Sequence, residues 1–126
     1  MIPRFRAWDK ANQKMVEGNR ILIWGDSFLI LDEGYDWNIN DLSGSEIDEK
    51  YVMQSIERKD INDIDIFCDD IVKDFRGDFF QVKYWSEYSS YFLSFIEEPS
   101  KPMGLYPDIA LEVIGNIYEN PELLEG

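Results

Sequence analysis

The sequence predicts a mainly β protein, and three observations carry that expectation. Its apolar runs are only about four to six residues long, they tend to alternate in and out with period two, and turns rich in Gly, Asn, Asp or Ser separate them. Two regions follow. Residues 1–50 read as a small N-terminal meander with an acidic connecting loop, and residues 51–126 as a second β-rich region.

Along residues 2–8, Arg4 and Arg6 face one way and Phe5 and Ala7 the other, the period of a half-buried strand. Residues 9–13 read as a turn and 14–16 as the returning strand. A Gly18-Asn19 turn leads into 20–24, and Gly25-Asp26 breaks that run before 27–31. From 32 to 50 the pattern dissolves into acidic and small polar residues, with Tyr35 and Trp37 as the large apolar insertions. That stretch reads as a loop and region boundary, with a helical turn expected after Ser45, three residues before Asp48. Residues 51–56 look extended, 57–65 polar, and 66–75 sheet-like. Arg76-Gly77-Asp78 is a tight turn, not an adhesion motif. In 79–85, Phe80, Val82 and Tyr84 share a face. A turn at 86–90 leads to a strand at 91–96, and the proline-bearing 97–107 reads as a loop. Three adjacent strands suffice for an independent sheet, and a small five-stranded barrel would remove its edges.

Charge narrows the partners. Against a net −14, residues 1–20 hold five basic and two acidic side chains, a net of +3, so residues 21–126 carry −17. An acidic body repels phosphate backbones, so no direct nucleic-acid binding is expected. The basic front suits the acidic body of a second copy. With 44% hydrophobic residues and 15% aromatic, the chain has material for a core despite its charge. Cys68 stands alone and no apolar run is long enough to span a bilayer, so a cytoplasmic protein with no membrane association is expected.

Histidine is absent, which excludes Ser-His-Asp and Cys-His catalysis and His-containing zinc sites. Asp69, Asp70, Asp74 and Asp78 are the nearest thing to a carboxylate site. On one strand, however, Asp70 and Asp74 would stand about 13 Å apart, and solvated surface carboxylates are the simpler reading. No phosphate-loop or calcium-loop spacing occurs, and acidic neighbours oppose a thiolate at Cys68. No enzyme, cofactor or metal is expected. Among the aromatics, Trp8, Phe80, Tyr84 and Tyr91 read as core, and Trp37, Trp85 and Tyr88, in or beside polar turns, as protein contacts.

Residues 113–124, Val-Ile-Gly-Asn-Ile-Tyr-Glu-Asn-Pro-Glu-Leu-Leu, resemble the signature ending of the YopX family, small proteins of bacteriophages and prophages of Gram-positive bacteria. The start is similar too, with Arg4-Phe5-Arg6-Ala7-Trp8-Asp9-Lys10 and Lys14-Met15, as is the middle, with Val52-Met53-Gln54 and Asp69-Asp70-Ile71-Val72-Lys73. The chain departs from the family pattern where Ser55-Ile56 replaces Thr-Gly, Ile61-Asn62-Asp63 replaces Lys-Asn-Gly, and Cys68-Asp69 replaces Glu-Gly. A turn on Asn62-Asp63 stays feasible because both tolerate left-handed angles. The resemblance implies an SH3-type barrel-like C-terminal region, self-association, a host-bacterial cytoplasmic setting and no established activity. Two functional readings follow: a noncatalytic accessory protein that self-associates and binds a host protein, or an acidic decoy of nucleic acid; a carboxylate-dependent hydrolase ranks third.

Within the ending, Ile114 and Asn116 alternate with Gly115 and Ile117 on a strand whose glycine marks a bulge or close approach. Tyr118 precedes Asn120-Pro121, which has the order of a helix start, and Leu123 and Leu124 are expected to dock on the sheet.

Overall fold

The computed structural model describes residues 4–31 and 44–125. Trp37 and most of the expected acidic loop lie outside them. The chain divides into two compact units, residues 1–54 and 55–126. No α-helix occurs among the described residues; the elements are strands and short 3-10 turns.

The N-terminal unit holds β1 (Phe5–Asp9), β2 (Lys14–Glu17), β3 (Ile21–Trp24), β4 (Ser27–Leu31), β5 (Gly44–Ile47) and the start of β6 (Val52–Lys59). β1 lies between β2 and β6, with Ala7 opposite both Val16 and Val52. Ala7 and Trp8, successive residues that point to opposite faces, are both buried, so β1 is not half-buried as its alternation suggested. Ala7, Val16 and Ile30 form the core, with Ile21, Ile47 and Val52 packed around them. β3, β4 and β5 make a separate three-stranded antiparallel sheet. Here the expected loop and helical turn are corrected: residues 44–47 are a strand because Ile47 registers with Phe28. The turn comes later, at Glu49–Tyr51, where the Asp48 side chain accepts the Lys50 N–H at 3.1 Å.

In the C-terminal unit the end of β6 pairs with β7 (Asp65–Phe67). β8 (Asp70–Lys73), β9 (Phe79–Trp85), β10 (Ser90–Phe95), β11 (Pro102–Gly104) and β12 (Glu112–Asn116) form an antiparallel sheet in the order β11-β10-β9-β8-β12. Ile66, Val72, Phe80, Val82, Leu93 and Leu111 are its buried core. Several expectations change. The run 66–75 is two strands, broken at Asp69, whose φ is +71°. Phe75 lies beyond β8 and is 83% exposed. Residues 102–104, expected in a loop, pair with β10, which Pro102 tolerates because β11 is an edge.

Two aspartates read as solvated or unremarked are buried and hold turns. Asp60 accepts the Asn62 and Ile64 N–H groups on Oδ1, at 2.8 and 2.9 Å, and the Val113 N–H on Oδ2 at 2.9 Å. Asp74 accepts the Arg76 and Asp78 N–H groups, both at 3.0 Å, and takes the Arg76 guanidinium on Oδ2 at 3.0 and 3.1 Å. Burial alone would raise both carboxyls; the backbone donors, joined by Arg76 at Asp74, outweigh it and hold each below its ordinary 3.8. Asp70, also buried, accepts the Phe67 N–H at 2.8 Å. These carboxylates are therefore structural, which corrects the surface reading.

The ending is a hydrogen-bonded loop. Asn116, buried, accepts the Tyr118 and Glu119 N–H groups at 3.0 and 2.9 Å and donates to the Glu119 carboxylate at 2.9 Å. Asn120 folds backward, its Oδ1 accepting the Asn116 N–H at 3.2 Å, while its carbonyl accepts the Leu123 N–H at 3.0 Å. The side chain thus closes the loop behind it instead of capping the 3-10 turn Pro121–Glu125 ahead. The register slips between Val113 and Gly115, so the glycine serves both a bulge and a close approach. Leu123 is half-buried and Leu124 is 40% exposed, so the expected docking of both leucines is corrected. Five residues of 3-10 turn are too short to press both side chains onto one surface.

Two outcomes are expected. Asp60→Asn keeps Oδ1 but turns an amide toward Val113, which costs about 2–4 kcal/mol in urea unfolding. The sign of the pH effect follows from a depressed folded-state value: the stabilisation is complete above the unfolded value near 3.8 and is lost as pH falls through the lower folded one. Wild-type melting should drop from pH 5 to 3 more steeply than that of Asp60→Asn. A Cβ on Gly115 would meet Asn120 Oδ1 at 2.5 Å and Cγ at 2.7 Å. Gly115→Ala should cost about 1–3 kcal/mol, and less than additively when combined with Asn120→Ala.

Candidate functional site: an aromatic hairpin tip

The hairpin of β9 and β10 carries its aromatics past the edge of the core. Phe80 and Val82 are buried, but two residues on, Tyr84 is half exposed, which corrects its place in the core. Tyr84 lies opposite Tyr91, ring centroids 5.1 Å apart and edge-on. On the other face, Trp85 is 39% exposed and stands edge-on to Tyr88 at 4.4 Å and tilted to Phe92 at 5.3 Å. The 3-10 turn Ser86–Tyr88 sets Tyr88, 65% exposed, against Trp85 and ends at Ser89 with φ +46°.

The sequence thus placed Trp85 and Tyr88 in neighbouring turn positions, and the structure brings them into contact. It adds Phe92, which the alternation hid because its register partner is Lys83. Such rings offer large area with few rotors, the character of anchors at protein interfaces. Tyr91 is raised above its ordinary 10.0, chiefly by burial, with smaller electrostatic contributions from the neighbouring Cys68, Tyr84 and Glu57. It is neutral at physiological pH, a hydrogen-bond donor and not a base.

The remaining candidates disperse. Asp70 and Asp74 are engaged by backbone donors, Asp69 accepts from Gln81 at 3.2 Å, and Asp78 faces Arg76 at 3.6 Å. Among the described residues no three His, Cys, Asp or Glu side chains are grouped to hold a metal ion. An open cleft of about 410 Å³ in the N-terminal unit is lined by Asp26, Ser27, Phe28, Glu46, Asp48 and Glu49. No described helix is long and apolar enough to cross a membrane.

Sequence reasoning missed Arg58. Its guanidinium donates to the carbonyls of Tyr106, Pro107 and Ile109, holding the proline-bearing segment. The only advance signal was indirect: a segment with Pro99, Pro102 and Pro107 has carbonyls in need of donors.

The signature residues are mainly architectural. Phe5 and Trp8 lie on β1, with Arg4 immediately before it; Asp70, Ile71 and Val72 lie buried in β8; Ile114, Gly115 and Asn116 lie on β12, and Tyr118, Asn120, Pro121, Leu123 and Leu124 in the closing loop and turn. Among solved structures, the chain is similar to protein EF1440 from Enterococcus faecalis, with a TM-score of 0.61 and 24% identity, covering 98% of this chain and 99% of that one. That likeness concerns the fold. A comparison with curated proteins finds no match. The pattern of the family described as YopX protein matches residues 4–125, nearly the whole chain, so the chain belongs to the YopX family.

Proposed function

We propose that this YopX-family protein is a noncatalytic phage accessory protein that acts in the bacterial cytoplasm through protein contacts, associating with itself and engaging a host protein. The contact of Trp85, Tyr88 and Phe92 at an exposed hairpin tip carries this reading. Two further features support it. Buried carboxylates that looked available for chemistry are spent on backbone N–H groups, and a +3 front on a −17 body favours attraction between copies. The C-terminal unit is read as SH3-type barrel-like, supported by its five-stranded sheet of short strands and by β12 returning beside β8.

Light scattering at physiological salt should report an oligomer. Affinity capture during phage replication should recover a host protein that Trp85→Ala/Tyr88→Ala loses by about 30-fold or more, with melting unchanged. A monomer that captures nothing would overturn the proposal. The −17 charge of residues 21–126 favours a second reading, an acidic decoy occupying a host protein's nucleic-acid site. DNA and this protein should then compete for the captured factor, and simultaneous binding at undiminished affinity removes the decoy.

A further inference from the structure

β3 has the composition of a strand meant to be covered. Ile21-Leu22-Ile23-Trp24 contains no charge, proline or glycine, and among the described residues it pairs with β4 on one side only, at the edge of its three-stranded sheet. Edge strands of soluble proteins are ordinarily blunted by lysine, proline or a bulge. Here Ile23 is 49% exposed, and none of those devices lies within the strand.

The two ends of β3 differ in charge. Arg20 precedes it, in the 3-10 turn Gly18–Arg20, and Asp26 follows it, beside Glu46, Asp48 and Glu49 on the acidic cleft. Arg20 and Asp26 are equidistant in sequence from Ile23. An antiparallel pairing of two identical strands about Ile23 places Ile23 opposite its own copy and Leu22 opposite Trp24. The same two-fold brings the basic end of each strand to the acidic end of the other. A two-fold contact repeats every such attraction, and antiparallel strands supply the backbone donors and acceptors that an edge leaves open. A parallel pairing would bring like charges together.

We propose that β3 is the self-association surface: two copies join edge to edge, antiparallel about Ile23, into a continuous six-stranded sheet. The occupant is a second copy of this chain, selected by the opposed charges at the two strand ends. This inference rests on the self-association proposed above and names the surface that performs it.

The test uses the full chain with Cys68→Ser, so that an introduced cysteine is the only thiol. Ile23→Cys should oxidise to a disulfide-linked dimer, because residues directly opposed across antiparallel strands fall within disulfide reach. Leu29→Cys, on the central strand β4, should not. Independently, sedimentation should show Arg20→Asp weakening association by about tenfold and Arg20→Asp/Asp26→Arg restoring it. These are exposed or half-exposed positions, and a melting curve for each variant separates loss of assembly from loss of fold. An oligomer that neither cross-links at Ile23 nor responds to the charge exchange overturns the β3 proposal while leaving self-association standing. A wild-type monomer at about 100 µM, well above a micromolar dissociation constant, overturns both.

Discussion

The C-terminal unit depends on a carboxylate that water scarcely reaches. Asp60 holds N–H groups from its own turn and from Val113, 53 residues away, and the neighbouring Ile61 N–H donates to the Leu111 carbonyl at 2.9 Å. Burying a carboxylate costs several kcal/mol unless its lone pairs are met, and three backbone donors meet them here. The result is directional. A hydrophobic contact would hold Leu111 near the sheet in many orientations, whereas these bonds set the entry of β12 to within a residue. Two positions earlier in β6, Arg58 does the converse, supplying donors to the carbonyls of residues 106–109. Together they convert a proline-bearing connection into a defined approach to β12, and the alignment of β12 with β8 then builds the closing loop.

Much of this architecture was legible in the chain. The turns at Gly25 and Gly77 carry positive φ where the sequence placed breaks, and the strands around them fall within a residue or two of the alternation. The two missed strands depend on pairing partners elsewhere in the chain. Residues 44–47 look like loop because Gly44, Ser45 and Glu46 have weak strand preference, and only the register with β4 makes them a strand. Residues 102–104 look like loop because proline is disfavoured in strands, a rule that relaxes at an edge. Buried aspartates are not visible in sequence because burial statistics count residue type, not the number of N–H groups a turn will aim at one carboxylate.

The candidate site was half legible for a similar reason. Local polarity around Trp85 and Tyr88 marked them as exposed, and turn positions are local. Period two then carried Tyr84 into the core, since it shares a face with Phe80 and Val82, yet β9 outruns the core before Tyr84 is reached. Periodicity reports which side a residue faces and says nothing about where the covering layer ends. Phe92 joined the cluster only through its diagonal relation to Trp85 across the hairpin, which no reading of one strand reveals.

The missing glycines of the family pattern show how such a fold tolerates sequence change. Asp63 and Asp69 stand at two of those positions and keep left-handed backbone, with φ of +64° and +71°. For most residues that geometry costs roughly 1–2 kcal/mol, and aspartate is among the few with a side chain short and polar enough to reduce it. Each turn also has external support. The Asp63 N–H reaches the Asp60 carbonyl at 3.1 Å inside the turn that the Asp60 carboxylate closes. Asp69 donates to Val82 at 2.8 Å and accepts from Ile117 at 3.1 Å, so strand β9 and the closing loop hold it from both sides. The backbone path is therefore imposed by tertiary hydrogen bonds, and glycine is one way to follow it among several. An acidic chain can then place aspartate where the family pattern has glycine and still hold the left-handed backbone there.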